Sequence, residues 1–320
     1  MACYGDRTRK GSALQTMLSD GSAAYAILPA FVYVVLSEAG AKGVDDHDRV
    51  AKLDNRDTVT MEDMLGRLID SLDLVVGLAF ADDDERAAIG HAIRELHRHI
   101  EGTLDDGRRY HAWNKELWSW TWAGILKPII DSYEQLRGPL TPEFLQDGYI
   151  GWLQLGDLIG VRGLPETYPE FLTYWEQHWK PVAMDTGAAR YILSQAYTPI
   201  LPGLAPWLPR PLWNAVTWPA LNLLRTSMFI VTDPQVQTLM NLKPTRSQQL
   251  STYLHRRVWR TIPSTLTREW SATYLKLRLR HGNTSWQRHY SPESLAHYRQ
   301  QMKEATTQGA PMPDRPSKRH

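Results

Sequence analysis

Cysteine is nearly absent from this sequence of 320 residues. The one cysteine is Cys3, which excludes an intrachain disulfide framework and a cysteine-rich zinc or iron–sulfur site. An excess of one charge is also missing, because 36 basic residues face 35 acidic ones and leave a formal net charge of +1. No overall field therefore favours nucleic acid, and we expect no nucleic-acid partner. The composition indicates no particular oligomeric state.

The sequence also lacks a long apolar run. The longest, residues 23–36, contains Pro29 and is shorter than the roughly 20 residues that span a bilayer. We expect a buried helix or a channel wall there, with insertion into a membrane interface as the alternative. The polar first residues have no apolar signal-peptide region. We therefore expect a cytoplasmic protein, and peripheral contact with a membrane stays open.

Several catalytic motifs are absent from the sequence. It contains no GxGxxG that opens a helix, no GxxxxGK followed by Ser or Thr, no GxSxG and no HExxH. Nucleotide-dependent transfer, serine hydrolysis and zincin chemistry therefore have no basis in the sequence.

Large aromatic residues with polar tips are abundant. Thirteen Trp and fourteen Tyr stand against five Phe, a balance typical of a wide ligand cavity or a membrane-facing surface. Apolar residues recur at helical spacing, and no segment alternates with a period of two. The sequence predicts an all-α fold, a single large multi-helix domain with an internal apolar cavity. We place a flexible N-terminal segment at 1–20, the domain at 21–300 and a disordered, basic tail at 301–320.

One predicted helix, Ala88 to Glu101, carries the histidine of greatest interest. Its apolar stripe comprises Ile89, Ile93, Leu96 and Ile100. His97 lies on the flank of this stripe, whereas His91, Glu95 and Arg98 are predicted to point away from it. Two interpretations of His97 stay open: an ordinary hydrogen-bonded core residue, or an axial ligand to a haem iron or another metal.

The neighbouring segments supply further candidates and boundaries. Thr60 and Asp63 form a capping-box pattern that opens a helix to about Phe80. Arg67 and Ser71 lie one turn apart on that helix, where the arginine either covers apolar surface or faces a cavity. The proline-rich stretch 199–220 is predicted to be irregular: a linker, a lid or a collar. The basic helix around 255–260 has a solvated face by default, with contact to haem propionates or anionic lipid as alternatives.

An ordered series of short motifs runs through the chain. It comprises Arg67-Leu68 with Ser71, His97-x-x-Ile100-x-Gly102, Gly107-x-x-Tyr110-x-Ala112, Leu117-Trp118, Gly138-Pro139-Leu140-Thr141, Leu158-Ile159-Gly160-Val161 and Pro165-x-Thr167. Over about residues 20–260 this series resembles the MpaB-type and rubber oxygenase (latex-clearing protein) catalytic domain. The chain departs from that pattern at Trp120, where many relatives have histidine, and at Glu101, where the rubber enzymes have arginine.

The resemblance implies an all-helical domain that holds one b-type haem through a proximal histidine. Rubber oxygenases use dioxygen to cleave double bonds in polyisoprene, and the fungal MpaB branch cleaves a farnesyl side chain. Carried over by motif, His97 becomes the iron ligand. Arg67 becomes a distal-side candidate for catalysis and cofactor binding, and Ser71 stands where the rubber enzymes have threonine. Trp118 and Trp120 become candidates for contact with the haem.

Two functions from different classes follow. The first is a haem-b-dependent oxygenase that acts with O2 on a lipophilic small molecule of the isoprenoid or terpenoid kind. The alternative is a non-catalytic helical protein that binds haem or lipid in the same cavity. Composition does not separate them, because both need the same apolar interior.

Overall fold

A computed structural model describes residues 6–48, 50–56, 58–197, 207–282, 284–286 and 300. The first part of the chain forms helices α1 Ala13–Ser19, α2 Ile27–Val34, α3 Glu38–His47, α4 Met61–Phe80 and α5 Asp83–His97, with 3-10 turns at Gly21–Ala26 and Leu53–Asn55. The second part forms α6 Lys115–Arg137, α7 Pro142–Leu158, α8 Tyr168–Tyr174, a π-helical turn Trp175–Trp179, α9 Lys180–Val182 and α10 Gly187–Gln195. The third part forms α11 Arg210–Ile230, α12 Pro234–Leu239, α13 Arg246–Thr261, α14 Ser264–Thr267 and α15 Trp270–Arg280.

The predicted all-α class is confirmed, since helices dominate the described residues. Two short antiparallel strands, β1 Glu101–Thr103 and β2 Arg109–His111, form a hairpin. Glu101 therefore lies in β1 rather than in the preceding helix, which ends at His97. The internal apolar cavity stays a prediction.

Local capping explains why the helices begin where they do. Thr60 and Asp63 exchange hydrogen bonds in a capping box at the start of α4. The Asp82 carboxylate accepts from the backbone N–H of Glu85 and caps α5, and Thr141 caps α7 with a proline in its first turn. The capping box of Thr60 and Asp63 was predicted from the sequence, whereas α5 begins at Asp83, before its predicted start at Ala88.

Helix α6 lies at the centre of the domain, in contact with α2, α3, α7 and α13. Its tryptophans fill the core. Trp122 and Trp152 stack with ring centroids 4.1 Å apart, and each indole N–H donates to the other residue's carbonyl. Trp120 stacks on Trp179 at 4.2 Å, and Trp179 stacks on Trp175 at 4.0 Å. Much of the unusual tryptophan content therefore builds solid packing.

The ends of the predicted domain need adjustment. Residues 13–19, within the segment predicted to be flexible, form α1, and Leu14 and Met17 on this helix are fully buried. The helical domain thus starts before residue 21. The proline-rich stretch was predicted to be irregular, but from Arg210 it is the first half of α11, with Pro211 in the first turn and Pro219 inside the helix. Residues 198–206 and the predicted tail 301–320 lie outside the described residues.

The apolar run predicted as a buried helix contributes to α2, where Val32 and Tyr33 are fully buried. No one helix in the described ranges is both long and apolar enough to cross a membrane. Ala13–Ser19 and Gly21–Val34 reach that length and composition only when taken together, across a bend of 74°.

Candidate functional site

His97 is the last residue of α5, and its ring is held from two sides. Nδ1 lies 2.7 Å from the carbonyl oxygen of Ile93 in the preceding turn. The indole of Trp118 on α6 packs edge-on against the imidazole, with ring centroids 4.8 Å apart. These contacts fix both the position and the orientation of the ring.

The protonation state of His97 follows from its surroundings. Burial lowers the pKa of the imidazole, and the nearby positive charge of Arg67 lowers it further, against the opposing effect of the bond to Ile93. The ring is therefore neutral near pH 7. Because a carbonyl oxygen only accepts, Nδ1 carries the proton and Nε2 carries the lone pair. Nε2 forms no hydrogen bond with any described residue.

Arg67 and Ser71 come together on α4, as their spacing predicted. The Arg67 guanidinium donates through Nη1 to the Ser71 hydroxyl and through Nε to the Asp48 carboxylate, 2.8 Å away. Its remaining nitrogen, Nη2, has no hydrogen bond to a described residue. Two partners therefore hold the Arg67 guanidinium in place beside His97, and its Nη2 group can still donate hydrogen bonds.

Asp48 is the residue that organises this polar cluster. Its carboxylate accepts from the backbone N–H groups of Val50 and Ala51 and from Arg67, and only 10% of its side chain is exposed. Burial alone would raise the pKa of Asp48, but Arg67 and the two backbone donors hold it below the usual value. The carboxylate therefore stays charged and fixes the Arg67 side chain.

A second arginine extends the cluster toward α10. Arg56 pairs with Asp45, and its guanidinium lies over the Tyr191 ring at 4.6 Å. The Tyr191 hydroxyl contacts Met64 on α4. Burial raises the pKa of Tyr191, so its hydroxyl stays protonated. The site thus draws residues from five helices and from the segment between α3 and α4.

The two tryptophan candidates separate. Trp118 contacts His97 and donates its indole N–H to the Ile159 carbonyl, 3.0 Å away. Trp120 instead belongs to the core stack with Trp179, and its indole N–H donates to the carbonyls of Tyr33 and Val34. Residues two apart on a helix point about 200° apart, so one face of α6 cannot present both.

Comparison with known proteins gives this cluster a family context. The model of the family described as "ER-bound oxygenase mpaB/B'/Rubber oxygenase, catalytic domain" matches residues 11–263. The chain belongs to this oxygenase catalytic-domain family. All the site residues described above lie within the matched range, and the suspected resemblance is confirmed.

Two curated relatives of this MpaB/rubber oxygenase domain also match. They are uncharacterized proteins of Mycobacterium bovis and Mycobacterium tuberculosis, each 28% identical over 169 residues. The match covers 52% of this chain and spans 62% of the length of those relatives. No solved structure matches the chain.

Burial along α5 differs from the predicted pattern. His91 and Glu95 were predicted to point away from the core, yet both are buried, whereas Leu96 of the predicted apolar stripe is exposed. The prediction was wrong because α5 packs against both α4 and α7, which bury it on nearly all sides from Ala88 to Glu95. Leu96 and Arg98 beyond this stretch are exposed, whereas His97 packs against Trp118.

Sequence reasoning missed Asp48, Arg56 and Tyr191. The weak signal was the acidic end of α3, where Asp48 follows His47 by one residue. His47 itself is exposed and bonds the Glu101 carbonyl, as a capping or solvated residue would. Among the described residues, no three His, Cys, Asp or Glu side chains converge to hold a metal ion.

Proposed function

We propose that the protein is a haem-b-dependent oxygenase that acts with O2 on a lipophilic, isoprenoid-like substrate, with His97 as the iron ligand. The observation that carries the proposal is the state of His97: a neutral imidazole whose Nδ1 is tied to a carbonyl and whose Nε2 has no described partner. Membership in the oxygenase family gives the reaction class.

The state of the His97 side chain supports a role as a haem ligand. A porphyrin provides four nitrogen ligands to its iron, so the protein needs to supply only one histidine ligand. Histidine ligands to metals commonly donate their second ring N–H to a backbone carbonyl, which fixes the tautomer and raises ligand basicity. The bond from Nδ1 of His97 to Ile93 has this form, and Trp118 fixes the ring plane.

The polar cluster has a separate role in the proposal. A bound haem would supply the redox-active iron that oxygen chemistry requires. Asp48 and Ser71 hold the Arg67 guanidinium in one orientation, and its Nη2 group can donate to a substrate or oxygen atom that gains negative charge. Arg67 thus acts through donation from a preorganised side chain, at little further cost in rotamer entropy.

The substrate class rests on the family and on the chemistry of the cluster. The family description includes rubber oxygenases, whose name denotes action on an apolar polymer. Both arginines of the cluster are already paired with carboxylates, Arg56 with Asp45 and Arg67 with Asp48. An apolar chain needs no charged anchor, since burial stabilises it by about 25 cal/mol per Å2.

Visible absorption tests the proposal. Protein purified from haem-supplied cells should show a Soret band, and pyridine should identify the porphyrin as haem b. His97→Ala should remove or strongly shift this band. His99→Ala is the matched control, because His99 is exposed two residues further along and should leave the band unchanged. Colourless wild-type protein, or a band that survives in His97→Ala, would contradict the assignment.

Oxygen uptake separates an enzyme from a carrier. Haem-loaded protein given squalene or another isoprenoid should consume O2 and form carbonyl products from the cleaved double bond. Arg67→Gln should reduce the rate while the haem content stays the same. Haem binding without O2 consumption across a panel of isoprenoids would favour the non-catalytic alternative.

A further inference from the structure

The outward face of α13 is unusually apolar for a solvated helix. Leu250, Leu254 and Val258 recur every four residues and are each about half exposed. Helical spacing places them in one stripe. Arg246, Arg257 and Arg260, all exposed, lie beside this stripe on the same outward face. The face thus combines aliphatic side chains with long cationic ones.

The first half of α11 adds a second exposed apolar element. From Arg210 to Ala220 every residue is exposed except Trp213, which is buried, and Thr217, which is half-buried. Leu212, Val216 and Trp218 are more than half exposed, and Trp207 just before the helix is 79% exposed. An exposed tryptophan is costly in water and favourable at a membrane interface.

These two elements are adjacent. Asn222 of α11 bonds Ser251 and His255 at one edge of α13, whereas Phe229 lies in a groove with Tyr253 at the other edge. Helix α11 therefore crosses the inner face of α13. The first half of α11 extends beyond the edge of α13 that carries Ser251 and His255. It therefore lies next to the stripe that contains Leu254 and Val258. We call these six residues, Leu212, Val216, Trp218, Leu250, Leu254 and Val258, the α11–α13 surface.

The formal net charge of +1 conceals an uneven distribution of charged residues along the chain. Residues 207–282 contain eleven Lys and Arg but only two acidic residues, Asp233 and Glu269, for a formal charge of +9. Residues 1–206 contain 19 basic and 30 acidic residues, for a formal charge of −11. The part of the chain that bears the α11–α13 surface is thus cationic, and the part before it is anionic.

We propose that the α11–α13 surface binds the interface of an anionic lipid bilayer. Exposed tryptophan and leucine suit the boundary between headgroups and acyl chains, and arginines beside them reach the headgroups with their charged ends. A nucleic acid would match the arginines beside the stripe but not the aliphatic stripe itself. The inference is independent of the proposed oxygenase chemistry.

Vesicle sedimentation tests the proposal on the purified full chain. The protein should bind phosphatidylcholine vesicles that contain phosphatidylserine, should bind pure phosphatidylcholine weakly, and should lose binding as salt rises. Each arginine near an anionic surface contributes about 1 kcal/mol, or about fivefold. The variant Arg257→Gln with Arg260→Gln should therefore bind about thirtyfold more weakly. Arg108→Gln with Arg109→Gln, in the hairpin, removes the same charge and should change binding less than twofold.

A matched pair tests the apolar contribution. Val258 on the surface is 51% exposed, and Val182 after the π-helical turn is 53% exposed. Val258→Ser should weaken vesicle binding several-fold, whereas Val182→Ser should leave it unchanged. Equal effects of the two serine variants would overturn the proposal. So would equal binding to neutral and anionic vesicles, or binding to a single-stranded polynucleotide in place of vesicles. The assay needs no haem, so it stands apart from the outcome for His97.

Discussion

Replacing Asp48 by asparagine removes the charge that orients Arg67 with little change in side-chain volume. In the wild type the Asp48 carboxylate accepts from Arg67 and from the backbone N–H groups of Val50 and Ala51. The side-chain oxygen of the asparagine can accept either from Arg67 or from the two backbone N–H groups. Its NH2 group then faces another donor, either the guanidinium or the backbone, and leaves one buried group unsatisfied.

The size of the effect follows from the burial of the pair. A hydrogen bond to a charged group contributes about 1.5 to 3 kcal/mol, and breaking a fully buried ion pair costs about 3 to 5 kcal/mol. Only 10% of the Asp48 side chain is exposed, but Arg67 is 34% exposed and partly screened by water. We therefore expect Asp48→Asn to lower the free energy of unfolding by about 2 kcal/mol near pH 7.

The loss of stability caused by Asp48→Asn should become smaller as the pH falls. The pKa of Asp48 in the folded protein is lower than its unfolded value, so its stabilisation is fully present above the unfolded pKa of about 3.9. It is lost as the pH falls through the lower folded pKa. The difference between wild type and Asp48→Asn should therefore shrink below about pH 4.

Chemical denaturation followed by tryptophan fluorescence measures this difference as a shift in midpoint. Asp46→Asn is the control, because Asp46 pairs with Lys42 at the surface with 33% of its side chain exposed, and the asparagine oxygen can still accept from the Tyr110 hydroxyl. Its substitution should cost below about 1 kcal/mol. The reasoning is refuted if Asp48→Asn is no more destabilising than Asp46→Asn, or if its effect is unchanged in acid.

Two further variants test the site and the core separately. Trp120→Ala removes one member of the Trp120–Trp179 stack and should cost about 3 to 5 kcal/mol in denaturant unfolding; a cost below about 1 kcal/mol would contradict the packing. Arg67→Gln removes a positive charge that lowers the pKa of His97, so the imidazole pKa should rise. NMR titration of the His97 ring protons measures that pKa, and an unchanged or lower value would show that Arg67 does not act on the ring.

Helix boundaries could be predicted because their signals are local. Thr60 caps a helix whose first turn contains its own partner, Asp63, and Thr141 is followed directly by Pro142. Such contacts connect residues three apart and need no knowledge of the fold. The four-residue spacing of Arg67 and Ser71 likewise placed them one turn apart on a helix, and their contact is observed.

Burial and long-range pairing could not be predicted in the same way. The predicted apolar stripe assumed that one face of α5 is buried along the whole helix, whereas α4 and α7 cover its middle part on nearly all sides, including His91. Asp48 and Arg67 are 19 residues apart in sequence, and their pairing depends on how α3 meets α4. From the sequence alone, Trp118 and Trp120 were equally good candidates for contact with a haem. Only the packing of α6 distinguishes the one beside His97 from the one in the core.

Chemical rescue at position 97 tests most directly whether His97 holds the haem iron. His97→Gly removes the imidazole and leaves space between Trp118 and the Ile93 carbonyl, into which free imidazole can enter. We predict that haem-reconstituted His97→Gly has an altered Soret spectrum and that added imidazole restores the wild-type spectrum in a saturable way. A His97→Gly spectrum that already equals the wild-type one, or that imidazole leaves altered, would contradict the account.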